Sequence, residues 1–329
     1  MPADNACDME ALGEFDLIHK YFTRPVKRAV LGVGDDCALL QPAPGMQLAV
    51  SSDMLVEGRH FLSTVSPQRL GHKALAVNLS DLAAAGAQPL AFSLALALPR
   101  ADEAFLDGFA RGLLALADEH HCELVGGDTT QGPLNICITM FGEVPPGQAL
   151  LRSGARAGDD LYVSGSVGDA RLALECFRGS VALAGEAFEQ VRVAMEQPQP
   201  RVALGVALRG VASAAIDVSD GLLGDLAHIL NRSAVGATIE VDAVPRSPVL
   251  ALQPLALQRE CTLAGGDDYE LLFTAPASSA AAVQMAARQA GVSVTRIGRI
   301  DRSRALTLVD AQGHEVPHTF GSFDHFKTA

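Results

Sequence analysis

The sequence predicts an α/β (or α+β) protein built as two lobes, and three observations carry that expectation. Its 329 residues exceed the roughly 100–150 that one ordinary core encloses. Strand-like and helix-like apolar patterns alternate along its length. Between two such stretches stands the break Pro145-Pro146-Gly147, which divides the chain into residues 1–148 and 149–329.

In the first part, residues 48–53 read as a strand that ends in polar side chains. Residues 67–85 carry apolar positions at helical spacing, and 90–98 read as a buried strand. Residues 104–120 repeat apolar side chains at a period of 3.6, and strand-like 123–125 and 134–144 follow. Beyond the break, 160–163 is a strand opening into Gly165-Ser-Val-Gly168. Helices are expected over 170–177, 187–195 and 202–208, and strands over 214–218, 237–241, 271–274 and 292–297. Periodicity does not say which strands pair.

Apolar residues make up 49% of the chain and charged ones 19%, which suits buried cores and opposes general disorder. The net charge of −13, with only Lys20, Lys27, Lys73 and Lys327 as lysines, excludes a basic nucleic-acid footprint. Six cysteines are scattered without CxxC or zinc spacing and read as small buried hydrophobes in a reducing compartment. The first ten residues lack the basic and apolar segments of a signal peptide, and the apolar run at 94–98 is far shorter than the roughly 18 residues of a spanning helix. A soluble, cytoplasmic protein without membrane contact is therefore expected. An acidic protein that handles anions needs a bridge, and divalent cations supply one.

Five segments place Asp beside Gly or a hydroxyl at the expected end of an apolar strand: Gly32-Val-Gly-Asp35-Asp36, Ser51-Ser52-Asp53, Leu79-Ser-Asp81, Gly126-Gly127-Asp128-Thr-Thr and Asp217-Val-Ser219-Asp220-Gly. Taken singly, each is ordinary turn or helix-cap chemistry. Taken together they favour a hard cation, because Mg²⁺ takes a few carboxylates and keeps positions for phosphate oxygens and water. A carboxylate cluster without a cation would repel itself. No P-loop, dinucleotide GxGxxG, protein-kinase lysine, GxSxG elbow or HExxH occurs.

GVGDDCA (32–38), SSDMLVEGRHF (51–61), VNLSDLAAAGAQP (77–89), GGDTT (126–130), LLRSGARAGD (150–159), IDVSDGLLGDL (216–226), GGDDYELLF (265–273) and GSFDHF (321–326) together resemble the thiamine-monophosphate kinase family, of the aminoimidazole ribonucleotide synthetase-like superfamily. The motifs lie in family order across nearly the whole chain.

The resemblance implies an N-terminal lobe whose sheet pairs with a second subunit into a barrel-like homodimer core, and a C-terminal α/β lobe that completes the site. It implies ATP and several Mg²⁺ ions, and phosphoryl transfer to thiamine monophosphate giving thiamine diphosphate. By motif, Asp35, Ser51, Ser52, Asp53, Asp81, Asp128, Asp217 and Asp220 would hold metal. Gly127, Asp128, Arg152 and Ser219 would meet ATP, and His60, Asp267 and Phe323 would line the thiamine phosphate site. The family commonly has Glu where Asp267 stands and often Trp where Phe323 stands. An acceptor that is already a phosphate needs no strong base, so direct in-line transfer without a phosphoenzyme is expected, with no covalent or general-base residue. A rival reading is a non-catalytic Mg²⁺-nucleotide sensor. Of the 38 acidic residues, Asp35, Asp36, Asp53, Asp81, Asp128, Asp217, Asp220, Asp267 and Asp268 lie inside the motifs, which assigns much of the negative surplus to a pocket.

Overall fold

The structure, a computed structural model, describes residues 13–321. The N-terminal lobe runs α1 (Glu14–Leu17), β1 (Gln47–Val56), α2 (Pro67–Ala84), β2 (Gln88–Leu98), α3 (Glu103–Glu119), β3 (Glu123–Gln131) and β4 (Asn135–Val144). Its sheet has the order β1-β4-β2-β3, with β2 and β3 parallel and the other pairs antiparallel. Helix α2 starts where predicted because Pro67 occupies the first turn and the Ser66 hydroxyl accepts the Arg69 N–H at 3.3 Å. Helix α3 is capped by Asp102, whose carboxylate accepts the Phe105 N–H at 3.1 Å. The two helices cross in close contact. A Cβ added at Gly71 would run into the Phe109 carbonyl, and one at Gly112 into that of Gln68.

The C-terminal lobe runs β5 (Asp159–Ser164), α4 (Asp169–Phe177), α5 (Gly185–Glu196), α6 (Val202–Ala207), β6 (Ala214–Asp217), α7 (Leu222–Ser233), β7 (Gly236–Glu240), α8 (Pro248–Ala251), α9 (Leu255–Ala264), β8 (Leu271–Pro276), α10 (Ala280–Ala290), β9 (Val294–Asp301) and β10 (Leu306–Val309). Its sheet order is β10-β7-β9-β5-β8-β6; β10 and β7 are parallel and the other four neighbouring pairs are antiparallel. This mixed architecture is the α/β class expected.

Two expectations need correction. Residues 123–125 are only the start of β3, which continues to Gln131 through the two glycines. One extra residue at Val125 sits opposite the Phe92/Ser93 step, so the strand absorbs the glycines as a bulge. The Asp-bearing segments are also not uniformly strand ends. Asp217 closes β6, but Asp53 lies within β1, Asp128 within β3 and Asp81 in the last turn of α2.

Helix α2 belongs to both lobes. One side packs on the first sheet through Leu75, Leu79 and Leu82, and the core that contains them continues through Leu204, Ala215 and Phe273 of the second lobe. A Cβ at Gly205 of α6 would meet the Ala83 carbonyl, so the helices approach at backbone distance. Polar ties reinforce the junction: Arg69–Glu196 at 3.0 Å, the Arg209 Nε–H to the Gly86 carbonyl at 2.6 Å, and the Leu150 N–H to the Ala85 carbonyl at 3.0 Å. Each large apolar side chain removed from water there contributes about 1.5–3 kcal/mol.

Candidate active site at the lobe junction

Alternation along β1 sends Ser51 and Asp53 toward α2 and Ser52 to the opposite face. The Ser51 hydroxyl donates to the Asp81 carboxylate, and the Asp53 N–H donates to Asn78 Oδ1 at 3.1 Å. Ser52 instead reaches across to β4, donating to the Ile138 carbonyl at 3.2 Å and lying 3.0 Å from the Thr139 hydroxyl. From the second lobe, the buried Asp217 accepts the Ser80 hydroxyl at 2.6 Å. Asp225, in the first turn of α7, accepts the Ser219 N–H at 3.0 Å and the Asp220 N–H at 3.1 Å, fixing the turn after β6.

These carboxyls feel one another. Burial, then the charges of Asp81 and Asp220, push Asp53 up to about 6. Burial, then Asp81, raises Asp217 to about 7, and burial, then Asp217 and Asp220, raises Asp225 to about 8. Asp81 is raised by burial, against the Ser51 hydrogen bond and the nearby Arg152 guanidinium. A hard cation would relieve this repulsion, and the donors are all oxygens, which suits Mg²⁺. Among the described residues no three His, Cys, Asp or Glu side chains already converge into a coordination sphere. The carboxylates here would thus supply only part of a shell, the arrangement Mg²⁺ tolerates when water and phosphate oxygens complete it.

Asp35 and Asp128 lie elsewhere. With Gly34, Gly126 and Gly127 they line a cavity of about 930 Å³ beside the edge strand β3. Asp53 stands opposite Ile138, Ile138 opposite Leu94, and Leu94 opposite Gly127. Three strand spacings, about 14 Å, therefore separate Asp53 from the β3 motif. Gly127 has φ +149 and its Cα faces the Leu94 carbonyl so closely that a side chain would collide with it. Within one chain, the expected metal residues thus form two groups.

The remaining expected residues are more dispersed. Arg152 is exposed, with its charge felt at Asp81. His60 lies in the turn after β1, where Nδ1 accepts the Val56 N–H at 2.9 Å. The 265–270 loop is tied to the 217–220 turn: the Asp267 N–H donates to the Ser219 carbonyl and the Tyr269 N–H to that of Val218, both at 2.8 Å. A Cβ at Gly266 would strike the Ser219 carbonyl, so this approach requires glycine. Phe323 lies outside the described residues.

Lys73, Asn78, Ser80, Asp225 and Tyr269 were missed as site residues. The first three carried a signal in the sequence: they are polar positions on the apolar helix 67–85, and all are buried. Buried polar groups need partners, and theirs are Asp267, the Asp53 N–H and Asp217.

Comparison with known proteins agrees with this architecture. The family described as AIR synthase related protein, N-terminal domain, matches residues 34–144, and its C-terminal counterpart matches 156–311. Fold and site therefore define a two-domain AIR synthase-related protein. The chain is 43% identical over 325 residues to the thiamine-monophosphate kinase of Salmonella typhimurium, covering 97% of this chain and 99% of that one. The crystal structure of thiamine-monophosphate kinase from Stenotrophomonas maltophilia superposes with a TM-score of 0.82 at 45% identity, covering 88% of this chain and 92% of that one. A structure described as AaThiL complexed with AMPPCP and TMP gives 0.74 at 28% identity, covering 98% and 100%. Within its class, the chain belongs to the thiamine-monophosphate kinase family.

Proposed function

We propose that the protein transfers the γ-phosphoryl group of ATP to thiamine monophosphate, giving thiamine diphosphate and ADP. The observation that carries this reading is the meeting of Asp53, Asp81, Asp217 and Asp220 at the lobe junction, in a chain that matches thiamine-monophosphate kinases over nearly their whole length. Phosphoryl transfer requires alignment and charge neutralisation more than covalent chemistry by the protein.

Asp35, Ser51, Ser52, Asp53, Asp81, Asp128, Asp217 and Asp220 would hold several Mg²⁺ ions, Ser52 only in an arrangement that draws on its own face of β1. Bound there, Mg²⁺ would neutralise phosphate charge. Gly127, with Asp128 next to it in β3, and Ser219 in the turn after β6 would meet ATP from the two groups, and the exposed Arg152 offers a two-pronged phosphate contact. His60, Asp267 and Phe323 would line the thiamine phosphate site. The acceptor oxygen of a phosphate is already ionised at neutral pH, so direct in-line attack needs neither a base nor a phosphoenzyme.

We assign residues 1–148 to ATP and Mg²⁺ binding and dimerisation, and 149–329 to completion of the site. A homodimer is supported by the outer face of β1, where Leu48, Val50 and Met54 are 45%, 57% and 53% exposed. Beside them, Met54, Ala95, Ala97, Cys137 and Asp128 line a second cavity of about 400 Å³. A second copy covering this face would bury the apolar stripe and enclose Asp128. No helix among the described residues is long and apolar enough to cross a membrane, which is compatible with a cytoplasmic setting.

Incubation with thiamine monophosphate, ATP and Mg²⁺ should yield equal amounts of ADP and thiamine diphosphate. Binding of both substrates without product would favour the nucleotide sensor. A kinetically competent phosphoenzyme from labelled ATP would refute direct transfer.

A further inference from the structure

Helix α2 carries Lys73, whose ammonium group is almost wholly withdrawn from solvent; its side chain is 3% exposed, while that of its partner Asp267 is 33% exposed. The Lys73 Nζ donates to Asp267 Oδ2 at 2.6 Å, and the Tyr269 hydroxyl donates to Asp267 Oδ1 at 3.0 Å. Each oxygen of the Asp267 carboxylate is thereby taken by one donor, which leaves each with further capacity to accept, and the side chain is partly exposed. The backbone is held as firmly as the side chain. Asp267 and Tyr269 both adopt left-handed conformations, φ +69 and +53, which side-chain-bearing residues keep only when their surroundings impose them. The imposing contacts are the Ser219 and Val218 carbonyls.

From this geometry we infer that Lys73 and Tyr269 are positioning residues that fix the Asp267 carboxylate for recognition of the thiamine phosphate acceptor. The inference rests on the reading of Asp267 as an acceptor-site residue. Lys73 reaches Asp267 from the first lobe across 194 residues of sequence, so the acceptor carboxylate is oriented only when the lobes are docked. The arrangement also explains a buried lysine in a chain with only four. Lys73 balances the one site carboxylate that faces an organic substrate, leaving Asp53, Asp81, Asp217 and Asp220 for cations.

The test is steady-state kinetics on Lys73→Met, Lys73→Arg, Tyr269→Phe, Asp267→Ala and the double variant Lys73→Met/Asp267→Ala, each with its melting temperature. Loss of one charge-assisted hydrogen bond should raise the KM for thiamine monophosphate about tenfold in Lys73→Met and in Tyr269→Phe, with the KM for ATP within about twofold of the parent. Lys73→Arg should recover part of the loss, and Lys73→Met should add nothing in the Asp267→Ala background. Tyr269→Phe removes a single hydroxyl, so it reports even where Lys73→Met fails to fold. A raised KM in Asp267→Ala with parental values in Tyr269→Phe and Lys73→Met would overturn the inference alone. An unchanged KM in Asp267→Ala would overturn the acceptor-site reading and the inference with it. A further rise on adding Lys73→Met to Asp267→Ala would mean that Lys73 acts on the substrate itself, and equal changes in both KM values would mean a purely structural role; either result refutes positioning through Asp267.

Discussion

Replacing Asp217 by Asn should stabilise the metal-free protein at alkaline pH and abolish activity. Asp217 is 5% exposed, and burial followed by the charge of Asp81 raises its carboxyl from 3.8 to about 7. Between those values the folded chain keeps a proton that the unfolded chain has released, so stability falls as pH rises through that window. Roughly three pH units at about 1.4 kcal/mol each amount to about 4 kcal/mol once the carboxyl is ionised. The amide introduced by Asp217→Asn never ionises, and its oxygen still accepts the Ser80 hydroxyl that now donates to Asp217 at 2.6 Å. Its new N–H groups need partners, which returns about 1 kcal/mol. The net gain is about 3 kcal/mol at pH 8, or roughly 4 °C in melting temperature for a chain of 329 residues; near pH 4 the ionisation penalty is gone and only the amide's cost of up to about 1 kcal/mol remains. Thermal unfolding followed by circular dichroism in EDTA at the two pH values measures it. An Asp217→Asn protein destabilised equally at both would refute the strained-carboxylate argument.

Three further outcomes follow from the same structure. Mg²⁺ should raise the melting temperature at pH 8 but not at pH 4, because protons and cation compete for the same oxygens; occupancy at a hundred times Kd corresponds to about 2.7 kcal/mol, and calorimetry with and without EDTA reads it. Asp128→Asn should abolish turnover while urea stability stays within about 0.5 kcal/mol of the parent, since Asp128 is exposed; undiminished turnover would remove it from the site. Gly71→Ala should cost more than about 3 kcal/mol in urea unfolding, because its Cβ has no room beside the Phe109 carbonyl.

Local pattern carried much of the architecture. Helix α2 was expected over 67–85 and spans Pro67–Ala84, and β2 and β4 fall within two residues of expectation. Helices α7, α9 and α10 are elements that periodicity does not predict. The first lies within and beyond a motif read for its chemistry, and the inner face of α10 is formed by Val283 and the small side chains Ala286 and Ala287. The error over Asp81 had a simple origin: a Ser-Asp pair reads as a cap, yet inside a packed helix the same pair serves two lobes. Ser80 meets Asp217, and Asp81 accepts Ser51.

By itself the sequence determined the residue chemistry: oxygen ligands beside glycines, an acidic balance, and motifs in family order. These are properties of neighbours along the chain, where spacing and backbone preference act directly. Only the tertiary structure decided which carboxylates share a field. Ser80 and Asp217 are 137 positions apart, and Lys73 and Asp267 are 194 apart. Strand pairing placed Asp128 about 14 Å from Asp53, three strand spacings away. The physical reason is that packing of α2 against both sheets sets those distances, and burial at their junction, which no local pattern encodes, turns ordinary aspartates into a cation-seeking cluster.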